Sequence, residues 1–465
     1  MNDFSGKDAR LPFIAPFLAL SLVVTLGCGG GSGGGSSSMN PPAADPPLNQ
    51  SINHIVFMVQ ENRGFDHYFG KLADYWQANG FPAVQFDGLP SDASNPTQDG
   101  TGTIQSFHLR TVCIQNMSPG WNESHVSWNR KDPTSATATL DGFVQTAAHF
   151  AQNAQPADKP GGFSDVNGYR TMGYYTADEL NYYYYMASNF ATSDRWFSPL
   201  MSRTQPNRMY LFAATSAGHA NPLKTGETLS STTIFELLEN AGVSWKIYLT
   251  DPNTAFIGQF QPFGSQHNDK IALLDTYLDD LKNGTLPSVA FIEGGYKSGL
   301  DEHPDKNIQP GAAHVAGIIN ALMTSSSWKD SVFILTFDEG GNFFDHVPPQ
   351  STVSPDGIPP KDLAADDICG NGQGANCDFN HTGFRIPLIV VSPFTKKHFV
   401  SHTVADYTAI LKLIESRFGL PSLTKRDAAQ TDMSEFFDFA NPPWRTPPNP
   451  PEQSQSGVCD FSAIP

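Results

Sequence analysis

The sequence predicts an α/β fold, a three-layer sandwich with a mainly parallel central sheet and helices on both of its faces. Helical and strand patterns alternate: a helix at 233–241 precedes a strand at 243–249, and a helix at 311–323 precedes a strand at 332–337. This alternation is typical of parallel sheets, because successive parallel strands need a crossover connection that is usually a helix. A polar, loop-rich insertion at 81–173 carries neither pattern.

The remaining elements follow from local residue patterns. The first strand is predicted at 52–60, where INHIVFMVQ is apolar and rich in β-branched residues. Thr233 is a suitable N-cap for the helix that follows it. A strand at 386–392 and a helix at 404–418 extend the pattern, and a second irregular stretch occupies 348–381.

The N-terminal residues have the composition of an export signal followed by a tether. Two basic residues precede an apolar run at 11–26, and Cys28 and a Gly/Ser tract follow it. We predict a signal peptide at 1–28, of lipoprotein type if Cys28 carries a lipid, and a Gly/Ser/Pro-rich linker at 29–50. A membrane tether through Cys28, simple cleavage and an uncleaved anchor stay open, so we expect a periplasmic, cell-surface or secreted protein.

Four further cysteines form an even set, which fits two disulfides in an oxidising compartment. Cys369 and Cys377 flank a short Gly/Asn-rich loop and would pair with each other. Cys113 with Cys459 would then join the Pro-rich C-terminal tail at 441–465 to the rest of the protein. Four unpaired thiols are the alternative that the sequence leaves open.

The chain is acidic, with 46 Asp and Glu residues against 28 Lys and Arg residues and a formal net charge of −18. This charge opposes the electrostatic attraction that sequence-independent nucleic-acid binding needs, so we expect no nucleic-acid partner. An anionic substrate is compatible with it, because a metal ion and a few histidines or arginines can reverse the local field at a site.

Acidic and amide side chains follow two of the predicted strands. Asp338 and Glu339 come after the apolar run at 332–337, and Glu61 and Asn62 come after the first strand. Adjacent carboxylates at the end of a buried strand are costly unless a cation or proton neutralises them, and ligands bind at this edge of open α/β sheets. One divalent metal ion is therefore predicted. Oxygen ligands favour Mg²⁺, Ca²⁺ or Mn²⁺, with Zn²⁺ or iron as alternatives.

A hydroxyl group and three histidines are further candidates. Thr204 lies in the hydroxyl-rich turn at 202–208, and the histidines are His125, His303 and His346. Together with the oxygen ligands they favour metal-assisted hydrolysis. Taken singly, each has an ordinary explanation: such a threonine more often caps a helix or turn, and a lone histidine is more often a surface or hydrogen-bonded core residue.

Several long segments, in this order, resemble the bacterial phosphoesterase family that contains phosphatidylcholine-type phospholipases C and a group of acid phosphatases. The longest are HIVFMVQENRGFDHYFG at 54–70, DRWFSPLMSRTQPNRMYLFAATSAGH at 194–219 and YTAILKLIESRFGLPSL at 407–423. The likeness covers about residues 52 to 426. It implies the alkaline-phosphatase-like fold and a catalytic domain at 51–440.

The resemblance also implies roles for single residues. The hydroxyl of Thr204 is expected to attack phosphorus, giving a covalent phosphothreonine, while His125, His303 and His346 bind phosphoryl oxygens and protonate the leaving group. The ligands implied for the metal are Glu61, Asn62, Thr204, Asp338 and Glu339.

Three functions follow as expectations. The first is a phospholipase C-like reaction on phospholipids, and the second is acid phosphatase action on small phosphomonoesters. A function of another class, a surface lipoprotein that binds a ligand without turnover, is disfavoured because a protein that only binds has no physical need for the whole set of residues. The sequence makes no prediction of oligomeric state.

Overall fold

The computed structural model describes residues 48–154, 159 and 162–465, all of which belong to one compact unit. At its centre is an eight-stranded sheet. Among the described residues, seven of these strands run in one direction and Leu388–Val391 runs antiparallel to its neighbours. The strands in spatial order are Phe399–Ser401, Ala191–Ser193, Leu388–Val391, Ser331–Phe337, His54–Gln60, Val289–Glu293, Trp245–Leu249 and Ile271–Leu273.

Helices pack against this sheet, which confirms the predicted α/β sandwich with a mainly parallel sheet. Short strand pairs join Ser94–Pro96 to Thr103–Gln105, Phe107–His108 to Gly173–Tyr174, and Trp196–Phe197 to Ala405–Asp406. The α-helices in the described part are Leu48–Ser51, Phe65–Phe69, Leu72–Ala78, Trp121–Trp128, Phe143–Asn153, Asn181–Asn189, Thr204–Ala213, Ile234–Asn240, Phe263–Gln266, Leu274–Asn283, Ile308–Thr324, Thr408–Phe418 and Lys425–Ala428.

Capping residues decide where the predicted helices begin. The Thr233 side chain accepts a hydrogen bond from Glu236 N, as expected for the N-cap of Ile234–Asn240. The helix predicted at 311–323 begins earlier, at Ile308, because the side chain of Asn307 caps it. Pro310 is tolerated in the first turn of this helix, where its missing N–H would have no intrahelical partner.

Two sequence predictions are wrong in detail. Residues 404–407 are not helical, because Ala405–Asp406 pairs with Trp196–Phe197 and the Asp406 carboxylate then accepts a hydrogen bond from Thr408 N. The insertion at 81–173 is not only loop, since it contains the helices Trp121–Trp128 and Phe143–Asn153.

The central strands are buried on both faces. Every residue of Ser331–Phe337 is buried, and so is His54–Gln60 apart from its first residue. Full burial explains why these segments read as continuous apolar runs rather than as alternating patterns. Burying each large apolar side chain contributes about 1.5–3 kcal/mol, so this pair of strands strongly stabilises the centre of the sheet.

Both predicted disulfides are present: Cys113 is bonded to Cys459, and Cys369 to Cys377. The C-terminal tail beyond residue 440 has no helix or strand, and the first of these bonds holds it against the insertion. The predicted signal peptide and residues 29–47 of the linker lie outside the described residues. Within residues 48–154, 159 and 162–465, no helix is both long and apolar enough to span a bilayer.

Candidate active site

The two acidic segments meet because their strands are neighbours. His54–Gln60 and Ser331–Phe337 are parallel and pair Gln60 with Phe337, so the residues that follow, Glu61 and Asp338, emerge side by side. The Asp338 carboxylate is fixed by backbone donors: its Oδ1 accepts hydrogen bonds from Asn62 N and Glu339 N, both at 2.8 Å. The sheet thus brings together the acidic residues that the sequence analysis selected.

Backbone conformation at this edge depends on two residues with positive φ. Asn62 has φ +56°, in the left-handed region that asparagine tolerates better than most residues. Gly341 has φ +65°, and a Cβ added to it would lie 2.3 Å from Asn62 O. Only glycine therefore fits at position 341 without displacing Asn62. Gly341 N also donates to Glu339 Oε2 at 2.7 Å.

The Thr204 side chain lies beside Glu61 and Asn62. Thr204 is the first residue of the helix Thr204–Ala213, and its Oγ1 lies 3.2 Å from Glu61 Oε2 and 3.3 Å from Asn62 Oδ1. The Asn207 side chain fixes the turn before the helix, because its amide donates to Ser202 O at 2.7 Å and accepts from Leu200 N at 3.1 Å.

The carboxylates in this cluster carry oxygens that lack partners. Asp338 Oδ2 and Glu339 Oε1 are buried and make no hydrogen bond with the described residues. Burial and the charge of Glu61 raise the pKa of both side chains well above the usual carboxyl range. A divalent cation would relieve these costs. The donor set of Glu61, Asn62, Thr204, Asp338 and Glu339 therefore fits a metal that prefers oxygen ligands.

Arg208 is a residue of this cluster that the sequence analysis did not select. Its Nη2 lies 2.6 Å from Glu61 Oε1, its Nη1 lies 3.1 Å from Glu293 Oε2, and its Nε lies 4.0 Å from Asp338 Oδ2. Burial raises the pKa of Glu61, but the Arg208 guanidinium, a hydrogen bond with Asp338 and the charge of His303 together lower it by more, so its pKa lies below the usual value. One signal could have identified Arg208: it is four residues after Thr204, on the same helix face.

Two cavities open at Thr204. The larger, of about 500 Å³, is lined by Thr204, Glu61 and His303 together with Asp301 and Tyr296. The smaller, of about 200 Å³, is lined by Thr204, Asn62, Arg203 and His303 and by residues of the insertion. The hydroxyl group and the His303 ring therefore border both spaces.

A buried network holds the segment before His303. Glu302, with φ +65°, is fully buried, and its carboxylate accepts hydrogen bonds from Gln60 Nε2 at 3.0 Å and Tyr68 OH at 2.8 Å. The Tyr183 hydroxyl donates to the same carboxylate. Since Gln60 directly precedes Glu61, one end of the first strand supports both the predicted metal ligands and the histidine loop.

The model of the Phosphoesterase family matches residues 52–421 of this chain. The chain belongs to this family. Phospholipase C B of Mycobacterium tuberculosis is 32% identical over 445 residues, which cover 86% of this chain and 80% of that protein. Non-specific phospholipase C5 of Arabidopsis thaliana is 28% identical over 420 residues, covering 81% of this chain and 72% of that protein.

Two further similarities extend the comparison. Non-hemolytic phospholipase C of Burkholderia pseudomallei is 28% identical over 452 residues, covering 84% of this chain and 60% of that protein. A solved structure of a protein in the alkaline phosphatase superfamily from Vibrio parahaemolyticus covers 78% of each chain at 13% identity, with a TM-score of 0.33. The family match and these relatives identify the protein as a hydrolase of ester bonds.

In this phosphoesterase, His125 lies away from Thr204. The ring is fully buried, with Nδ1 2.7 Å from Trp121 O and Nε2 3.2 Å from Asn376 O, and it lines neither cavity. Burial lowers its pKa to about 4, although both carbonyl groups raise it. These contacts connect the insertion to the second irregular stretch, and the phosphoryl contact implied for His125 stays a prediction.

His346 also lies outside both cavities. Its Nδ1 is 2.7 Å from Asp66 Oδ2, and its Nε2 is 3.1 Å from Asp87 Oδ1. Both ring nitrogens thus face carboxylates, and the phosphoryl contact that the resemblance implied stays a prediction. Of the three histidines, the structure brings only His303 to Thr204.

Among the described residues of this phosphoesterase, two other groups of side chains could hold a metal ion. They are Asp66–Asp345–His346 and His108–Asp178–Glu179. In the first, the Arg385 guanidinium lies 3.0 Å from Asp66 and 2.7 Å from Asp345, so a cation already neutralises the carboxylates. In the second, the His108 ring faces the Glu179 carboxylate at 3.0 Å.

Proposed function

We propose that this phosphoesterase hydrolyses phosphate esters with Thr204 as the nucleophile, through a covalent phosphothreonine, and acts on phospholipids as a phospholipase C. The observation that carries the proposal is the contact of the Thr204 hydroxyl with both Glu61 and Asn62, at 3.2 and 3.3 Å. A hydroxyl beside ligands of this kind is placed for activation, whereas an ordinary capping threonine faces backbone N–H groups.

Each step assigns a bond and a proton to a group in the chain. Thr204 Oγ1 passes its proton to Glu61 Oε2, which returns it when Thr204 is released, and forms a bond to phosphorus while the bond to the leaving alkoxide breaks and His303 protonates that alkoxide. The same imidazole then takes a proton from water, which attacks phosphorus and releases Thr204. A divalent cation held by Glu61, Asn62, Thr204, Asp338 and Glu339 would lower the pKa of the hydroxyl and polarise a phosphoryl oxygen.

The named relatives support the phospholipid substrate. They include Phospholipase C B of Mycobacterium tuberculosis and Non-specific phospholipase C5 of Arabidopsis thaliana. The larger cavity at Thr204, of about 500 Å³, leaves room for the organic part of a phospholipid beside the phosphoryl group. Acid phosphatase action therefore ranks second among the candidate functions.

Export is part of the same proposal. The two disulfides fit an oxidising compartment, where such bonds form and persist. A signal peptide at 1–28, with Cys28 as the point of lipid attachment, would deliver the enzyme there. Labelling with a radioactive fatty acid, compared between the native chain and Cys28→Ala, tests the tether directly.

The activity is tested with the purified full chain on phosphatidylcholine vesicles and on p-nitrophenyl phosphate. We expect choline phosphate release from the vesicles, slower phosphate release from the small ester, and loss of both in Thr204→Ala. Thr204→Ser should retain activity, and Thr324→Ala, at an exposed helix end, is the matched control. Mass spectrometry of acid-quenched enzyme should find a phosphoryl adduct on Thr204. Full activity of Thr204→Ala would refute the nucleophile.

A further inference from the structure

Two arginines flank Thr204, and they have different partners. Arg208 is 5% exposed, and its guanidinium is held by Glu61 and Glu293. Arg203 makes one side-chain hydrogen bond, from Nη2 to Ser118 Oγ at 3.3 Å, and its buried Nε has no partner. Among the described residues, no carboxylate lies within 4.0 Å of Arg203, as an ion pair would require. Arg203 thus keeps donors that the protein does not use.

Arg203 lines the smaller of the two cavities at Thr204. This cavity, of about 200 Å³, is lined by Arg203, Thr204, His303 and Asn62. The insertion closes it with Ser118 and its neighbours and with Phe150. Arg203, His303 and Thr204 therefore line one small cavity, which is large enough for a phosphoryl group.

The electrostatics of this cavity favour an anion. Arg203 immediately precedes the ten-residue helix Thr204–Ala213, whose first turn has no acidic residue, so the positive end of the helix dipole faces the same region.

We propose that the smaller cavity is the phosphoryl-binding site and that Arg203 binds the non-bridging oxygens of the phosphoryl group. The ligand class is a phosphoryl anion, whether in a phosphate ester or in inorganic phosphate. A planar guanidinium with free N–H donors suits paired oxygens of this kind. The insertion then has a defined part in catalysis, because Ser118 holds Arg203 in position.

This inference rests on the proposed function for its place in the reaction, but its first test is a binding measurement. Inorganic phosphate is titrated calorimetrically into the full chain carrying Thr204→Ala, with Mn²⁺ present. Adding Arg203→Gln should weaken phosphate binding at least tenfold, and Arg203→Lys should weaken it less. Arg445→Gln, which removes one exposed charge from the tail, should leave the affinity unchanged.

Kinetics separate a catalytic contact from a structural one. In the enzyme with Thr204, Arg203→Gln should lower kcat more than it raises KM, because charge on the phosphoryl oxygens changes most in the transition state. Phosphate affinity that stays within twofold in Arg203→Gln would overturn the inference. Phosphate binding that depends on Arg203 in a chain without esterase activity would instead overturn the proposed function alone. If Arg203→Gln unfolds, Arg203→Lys and Ser118→Ala carry the same comparison.

Discussion

Thr204 and Arg208, one helical turn apart, contact opposite oxygens of a single carboxylate, that of Glu61. The hydroxyl lies 3.2 Å from Oε2, and the guanidinium lies 2.6 Å from Oε1. The arginine thus sets both the charge and the orientation of the group that the hydroxyl faces.

Replacing Arg208 with methionine should destabilise the fold. Glu61 and Glu293 would lose their buried partner, and breaking a buried ion pair from one side costs about 3–5 kcal/mol. Denaturation in urea measures the change in unfolding free energy. Arg208→Lys, which keeps the charge but loses the two-pronged geometry, should fall between the variant and the native protein. A loss below about 1 kcal/mol, the value for surface pairs, would contradict the burial argument.

Relative to the native protein, removing the acidic pair Asp338 and Glu339 should raise stability in the absence of metal and lower it in the presence of metal. Asp338→Asn with Glu339→Gln removes two buried carboxylates that repel Glu61, so the metal-free protein should become more stable. The native protein should gain about 2.7 kcal/mol when Mg²⁺ or Mn²⁺ reaches 100 times its dissociation constant, and the variant should gain none. Thermal unfolding with a chelator and then with added cation checks both effects.

The control for the metal experiment replaces two exposed carboxylates on the helix Leu274–Asn283. Asp275→Asn with Asp279→Asn makes the same change in net charge at a solvated surface. Its response to the cation should match that of the native protein. An equal loss of response in this control would mean that the cation acts through general charge screening.

His346 should make stability depend on pH. Burial lowers the pKa of its ring, but the hydrogen bond and charge of Asp66 raise it more, and Arg385 and Asp345 act in opposite senses, so the folded pKa lies above 6.5. Asp87 is the fourth charged group that faces the ring. A raised pKa contributes stability that is fully present below pH 6.5 and lost as pH rises through the folded value.

Melting temperatures between pH 5.5 and 8.5 test this sign. The native protein should lose stability across the upper part of the range, and His346→Gln should lose less, because glutamine does not titrate. Parallel curves for the two proteins would show that the imidazole does not gain a proton on folding.

The two disulfides should differ in their effect on stability. Cys113–Cys459 closes a separation of 346 residues, and Cys369–Cys377 closes one of 8. Replacing a native pair with serine typically costs about 2–5 kcal/mol, and the longer loop should lie at the upper end because it restricts the unfolded chain more. Denaturation of the two double-serine variants compares them. A larger loss from the local pair would contradict the chain-entropy account.

The sequence predicted the acidic half of the site because that half follows from strand geometry. Two adjacent parallel strands end together, so any polar residues directly after them must meet, as Glu61 and Asp338 do. The same rule would have found Glu293, the last residue of a third strand at that edge. Thr204 was selected as part of a hydroxyl-rich turn, but its role was implied only by the family resemblance, since its position depends on how one helix packs against the sheet.

The histidines were beyond local reasoning. His125 and His346 take their partners from Asn376 and Asp87, residues 251 and 259 positions away, and no periodicity encodes such loop contacts. His303, which was selected by the same resemblance, lines both cavities at Thr204 and directly follows Glu302, a residue that the first strand supports. Long-range side-chain pairing, rather than element type, is what the sequence left undetermined.

Two features constrain the residue at position 62. Its amide oxygen faces the Thr204 hydroxyl, and its backbone is left-handed. Aspartate is the natural replacement that could adopt this shape, and it would add a negative charge to the cluster. A single substitution at position 62 would therefore change the charge that the site offers to a cation, without a change in the surrounding backbone.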